Sequence, residues 1–178
     1  MKSFIILLTL SLYFNTNMQT IYTFSSLSNS NEWRVLNDGV MGGISESALI
    51  LNKEGYGEFS GHVSLENYGG FASIQLNQTI KLDKEKTHIV LRVKGDGKRY
   101  EFRMKGNSSQ YESYVHQFPT SGEWETIKLP IAGFYPQFRG QRMNAPNFNF
   151  EQIGQLSFLI ANKQEEDFKL LLDWIGLE

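Results

Sequence analysis

HIVLRVKGDGKRYEFRMK, residues 88–105, carries the alternation that decides the fold. Ile89, Leu91 and Val93 recur every second residue. Tyr100, Phe102 and Met104 then do the same against Glu101, Arg103 and Lys105. Period two with one apolar and one polar face is the signature of a half-buried strand. Gly95-Asp96-Gly97 between the two runs reads as a hairpin turn, because Gly and Asp tolerate positive φ. Working outward, Phe59, Gly61, Val63 and Leu65 repeat the pattern. So do Leu156, Phe158 and Ile160, and then Phe168, Leu170, Leu172 and Trp174. Turn signals separate the runs at Gly39 to Gly43, Gly55-Gly57, Gly69-Gly70, Gly106-Asn107 and Ser121-Gly122. No helical stripe of useful length occurs; one turn near Asn149 to Ile153 is the most the sequence offers. About ten short strands with a turn every eight to twelve residues predict an all-β chain, an antiparallel β-sandwich or barrel.

The chain has 178 residues, which fits one domain, read here as 20–178 with no internal repeat or linker. Its net charge of −2 argues against a nucleic-acid binder acting through bulk electrostatics. Cysteine is absent, which excludes disulfides, thiolate nucleophiles and Cys-ligated metal centres. With 40% hydrophobic and 13% aromatic residues, a core is well supplied.

Residues 1–19 differ from the rest. Phe4 to Phe14 is an apolar run after Lys2, too short to span a bilayer and of the length of a secretory signal's hydrophobic part. The expectation is a leader over 1–19, with the mature chain exported or periplasmic and without a membrane span. An uncleaved anchor, or a start at Met18 that would leave the chain cytoplasmic, stays open beside it. No Arg precedes Arg34, unlike a mitochondrial transit peptide.

Few residues bear recognisable chemistry. His62, His88 and His116 are scattered without metal-ligand spacing, and no Gly-x-Ser-x-Gly elbow supports a serine nucleophile. Gly39-Val40-Met41-Gly42-Gly43 is not a dinucleotide fingerprint and precedes strand-like sequence, so it reads as a tight turn or a close backbone approach. Asp38, Asp96 and Asp173 sit at strand edges, where Asp caps turns; a carboxylate pair for glycoside hydrolysis, or calcium ligation, is the alternative. Trp33, Trp124, Trp174 and most Phe fall on alternating positions assigned to the core. Tyr68, Tyr111, Tyr114 and Tyr135 lie in or near loops and could stack on sugar rings or peptide side chains. The stretch Phe134 to Phe148 shows no alternation and reads as the longest irregular loop.

Trp33-Arg34-Val35-Leu36-Asn37-Asp38-Gly39-Val40-Met41-Gly42-Gly43-Ile44-Ser45 resembles the opening motif of the complex I intermediate-associated protein 30 family. The resemblance continues through Phe59-Ser60-Gly61, Glu66 to Ser73, Lys94 to Gly97 with Tyr100, Trp124 with Leu129-Pro130, Phe138-Arg139-Gly140 and Asp173-Trp174-Ile175. It implies a galactose-binding-domain-like jelly roll. It also implies a chaperone-like role in assembling respiratory NADH:ubiquinone oxidoreductase, with no catalytic residues, metal or cofactor to carry over. Without a transit peptide, the chain looks like a bacterial stand-alone member.

The motif turns supply the candidate binding residues: Asp38, Asn67, Tyr68, Asp96 and Arg139. The expectation is that Asp38, Asn67, Asp96 and Arg139 converge as a polar cluster at one rim of the sandwich. The first functional reading is a non-enzymatic module for a protein partner. The alternative is a carbohydrate-binding module with aromatics at a loop rim.

Overall fold

The computed structural model describes residues 18–178. The leader expected over 1–19, and with it the question of the start, falls mainly on residues outside those described. Among the described residues, thirteen strands form two antiparallel sheets that face each other across one core.

The six-stranded sheet contains β1 (Gln19–Thr23), β3 (Glu46–Leu51), β4 (Gly57–Val63), β6 (His88–Lys94), β9 (Trp124–Pro130) and β13 (Glu166–Leu177), in the order β3-β4-β13-β6-β9. The long β13 is its spine. One flank pairs first with β4 and then with β1, while the opposite flank pairs with β6. The seven-stranded sheet runs β11-β10-β8-β7-β12-β5-β2. Its strands are β2 (Trp33–Asn37), β5 (Ala72–Lys81), β7 (Arg99–Lys105), β8 (Ser113–Pro119), β10 (Tyr135–Phe138), β11 (Gln141–Arg142) and β12 (Gln152–Ile160).

The two runs around Gly95-Asp96-Gly97 are both strands, β6 and β7, but they do not pair. β6 lies in one sheet and β7 in the other, so the turn is an arch between layers rather than a hairpin. Alternation fixes which face of a strand is buried and says nothing about which strand lies beside it. Ile89, Leu91, Tyr100 and Phe102 are all fully buried, reaching the same core from opposite sides. Gly95 is required in the arch because a Cβ there would stand 2.3 Å from Thr120 Oγ1.

Aromatic rings fill the core. Phe102 meets Phe158 edge-on at 5.1 Å and Phe59 meets Phe168 at 4.8 Å, arrangements that add to the stabilisation from area burial. Trp33 belongs to this core, but Trp124 and Trp174 do not. They stand cross-strand from Lys94 and Arg92, on the outer face of the six-stranded sheet, and are half-buried. Tyr56 packs on Trp124 at 4.5 Å and the Arg92 guanidinium lies 5.6 Å from its ring centre.

Two further expectations change. Phe134 to Phe148 contains the β10–β11 hairpin, with buried Pro136 beside Tyr114. Asn149 to Ile153 forms no helical turn; it leads into β12, where Ile153 is fully buried.

Candidate functional site

Asp38 follows β2 and opens a single 3-10 turn, Asp38–Met41. Its buried carboxylate gathers two loops. It accepts from the Ser45 N–H at 3.1 Å and the Ser45 hydroxyl at 2.5 Å, and from the N–H groups of Gly70 at 2.7 Å and Phe71 at 3.2 Å. Ser45 Oγ in turn accepts the Ser64 N–H at 3.0 Å. Burial works to raise the Asp38 pKa, yet the Ser45 hydroxyl and the three backbone donors outweigh it and hold the carboxyl below its ordinary value.

This knot explains one glycine in each motif turn, Gly43 and Gly69. A Cβ on Gly43 would stand 2.4 Å from Asp38 Oδ1, and one on Gly69 would stand 2.8 Å from Oδ2. Only glycine lets the two loops close on one carboxylate.

The pinned loops display an apolar rim. Asn67 and Tyr68 both adopt left-handed backbone, with φ of 52° and 62°. Asn tolerates that conformation, but it costs a residue such as Tyr68 about 1–2 kcal/mol and persists there only where the surroundings impose it. The result is a Tyr68 side chain that is 94% exposed, on loops that also expose Leu65 at 45% and Ile44 at 50%.

The expected four-residue cluster does not form. Asn67 lies in the turn that Asp38 pins. Asp96 is at the same end of the sandwich, but its carboxylate serves Lys98 Nζ, the Tyr100 hydroxyl and the Lys169 N–H, each at 2.9 Å. Burial opposes these bonds without overcoming them, so Asp96 also titrates below its ordinary value. Arg139 is at the other end. It caps the β10–β11 hairpin, and the registers of β10, β8, β7, β12 and β5 place that tip opposite the Asn37–Ala72 end. There it stacks on Phe138 at 5.3 Å.

Nor do the four loop tyrosines form one platform. Tyr111 packs edge-on against Phe138 at the Arg139 end, Tyr114 is buried against Phe148, and Tyr135 lies on the outer face of the seven-stranded sheet. His116 pairs with Phe102 in register and packs on Phe134 at 5.3 Å, so it faces inward rather than to solvent.

The sequence reading missed a second polar assembly, on that same outer sheet face. Arg103 donates through Nε to Glu101 at 2.8 Å and through Nη2 to Gln137 at 2.8 Å, while Gln117 donates to Glu101 at 3.1 Å. In sequence these residues look like ordinary solvated positions of alternating strands. A cleft of about 680 Å³ lies near the Arg139 end between Lys81–Lys86 and Asn149–Gln152, with lysines and carboxylates mixed in its walls. Among the described residues no group of three or more His, Asp or Glu is placed to hold a metal ion, and no helix is long and apolar enough to cross a membrane.

Comparison with known proteins places this geometry. The profile of the complex I intermediate-associated protein 30 family matches residues 22–172. The chain belongs to that family. Probable mitochondrial complex I intermediate-associated protein 30 from Caenorhabditis briggsae and from Caenorhabditis elegans are each 24% identical over 179 aligned residues, covering 88% of this chain. The chain spans about half the length of these curated relatives, 53%.

Among solved structures, the family 11 carbohydrate-binding module of Clostridium thermocellum, in complex with a β-1,3-1,4-mixed-linked tetrasaccharide, superposes with TM-score 0.64 at 16% identity. That match covers 90% of this chain and 94% of the module. A family 29 carbohydrate-binding module gives 0.53 at 10% identity, covering 90% and 91%. An agarase contains a similar unit, with 0.59 at 12% identity over 90% of this chain and 24% of the enzyme. At these identities the likeness establishes the fold: a two-sheet antiparallel sandwich of the jelly-roll, galactose-binding-like kind.

Proposed function

We propose that the chain is a non-enzymatic binding module that docks a protein partner on the rim formed by Ile44, Leu65 and Tyr68. The proposed partner is an assembly intermediate of a respiratory NADH:ubiquinone oxidoreductase, as the family name suggests. The observation that carries this reading is the pair of left-handed residues Asn67 and Tyr68, which present a 94%-exposed aromatic ring. A protein that only needed to close this turn would use glycine there. Tyr is also a residue type that anchors protein interfaces, with an apolar body and a polar tip. Asp38 makes the rim rigid before a partner arrives, which lowers the ordering cost of binding.

The test is affinity capture from native extract with wild-type protein and with Tyr68→Ala combined with Leu65→Ser. Recovery of respiratory-complex subunits by wild type, and their loss in the double variant, is the expected result. Equal recovery by both proteins would remove the rim from the account.

A further inference from the structure

The outer face of the seven-stranded sheet holds its own polar side chains out of water although no described element packs over it. Its middle cross-strand row runs Tyr135, Val115, Arg103, Ser157, Gln75 and Arg34, fixed by the strand registers. Val115 is fully buried, Ser157 is 6% exposed, and Glu101 in the next row is 8% exposed. Val115 and Ser157 are short and flank Arg103, whose guanidinium is tied to Glu101 and Gln137. The row is therefore a low polar strip pre-ordered by the Glu101–Arg103–Gln137–Gln117 bonds described above.

The charge of this face opposes that of the whole protein. Arg34, Arg99, Arg103, Lys105 and Arg142 all occupy outward strand positions; Glu101 stands among them, and the Glu112 carboxylate acts on Lys105 at one end. The whole chain carries −2. Burying an ion pair such as Arg103–Glu101 on a sheet's outer face is expensive for stability alone, but it leaves planar donors and acceptors fixed in place. Gln75, Gln117, Gln137 and Gln155 add neutral amides that can bond hydroxyls from either side.

We propose that this face binds an acidic oligosaccharide laid across the strands, with Arg34 and Arg142 at the two edges pairing its anionic groups. Arg103, Gln137 and Gln75 take hydroxyls along the strip. Guanidinium groups suit the anions because they donate in a fixed fork. Tyr135 offers one ring, and the Arg142 guanidinium already lies 4.6 Å from its centre. A nucleic-acid strand would want a series of free aromatic faces for its bases, and the cross-strand row offers Tyr135 alone.

The site is independent of the rim, and the titration that tests it reads neither Tyr68 nor its partner. Purified protein is titrated calorimetrically with oligogalacturonate, a heparin-derived oligosaccharide, a neutral β-glucan oligosaccharide and a single-stranded oligonucleotide. Binding is expected for one or both acidic glycans, separating carboxylate from sulfate recognition, and at least about tenfold weaker for the neutral glucan and the oligonucleotide. Arg34→Ser with Arg142→Ser should weaken the acidic glycan about tenfold or more with an unchanged melting temperature, since both side chains are exposed. If that pair disturbs folding, Gln75→Leu, in the same cross-strand row, should produce the same loss. Equal binding of the neutral glucan or of the oligonucleotide would overturn the proposal. So would the absence of acidic-glycan binding, or binding unaffected by these folded variants.

Discussion

Replacing Asp38 by alanine removes the one acceptor that ties the two motif loops together. Four donors lose it: the Ser45 N–H and hydroxyl and the N–H groups of Gly70 and Phe71. The Ser45 hydroxyl keeps a long bond to the Ser64 carbonyl at 3.3 Å, and water can reach the partly buried Gly70 and Phe71 amides. A stranded buried donor costs about 1–3 kcal/mol, so the Ser45 N–H in full and the others in part amount to about 3 kcal/mol. For a domain of this size each kcal/mol moves the melting temperature about 2–4 °C, giving a fall of about 6–12 °C. Thermal unfolding followed by circular dichroism measures it. Hydrogen exchange should show the Gly70 and Phe71 amides losing protection first.

The pH dependence has a definite sign. A carboxylate whose folded pKa is depressed stabilises above its unfolded value and loses that contribution as pH falls through the folded one. The gap between wild type and Asp38→Asn should therefore shrink below about pH 4. An Asp38→Ala protein melting within about 2 °C of wild type would refute the pinning.

Gly43→Ala drives a methyl group into the Asp38 carboxylate and should destabilise by about 1–3 kcal/mol, measured by urea unfolding. Tyr68→Gly relieves left-handed backbone and should be no less stable than wild type while losing partner capture. Asp167→Asn should return the exposed His62 toward its ordinary pKa. The Asp167 carboxylate raises that pKa ahead of Glu165, and a proton NMR titration reports the change. Phe102→Ala, deep between the sheets, should cost about 3–5 kcal/mol in the same urea experiment.

The sandwich was legible because period-two apolar runs are long and aromatic; Tyr100–Met104 and Leu156–Ile160 hardly admit another reading. The loop motif was legible because Asp38 and the glycines sit close together in the chain, even though Gly69 and Gly70 answer Asp38 from more than thirty residues away. What the sequence withheld was adjacency. The arch at Gly95–Gly97 and the distance of Arg139 from Asp38 depend on strand order, which alternation does not encode. Trp174 faces out because a register shift after Leu172 inverts the alternation, and Trp124 because Ile127 and Leu129 take the inward phase of its strand. The charged sheet face is hidden because strand order is hidden. Arg34, Arg103 and Arg142 are far apart in the chain and share a face only through six strand pairings.

Partner docking at the rim depends most directly on the exposed ring at position 68. A photo-reactive phenylalanine analogue placed there, and separately at Tyr111 on the opposite end, compares two exposed aromatic sites in one fold. Irradiation in native extract, read by mass spectrometry, should join respiratory-complex subunits to position 68 and not to position 111. Equal crosslinking at both positions, or crosslinking at 111 alone, would contradict it.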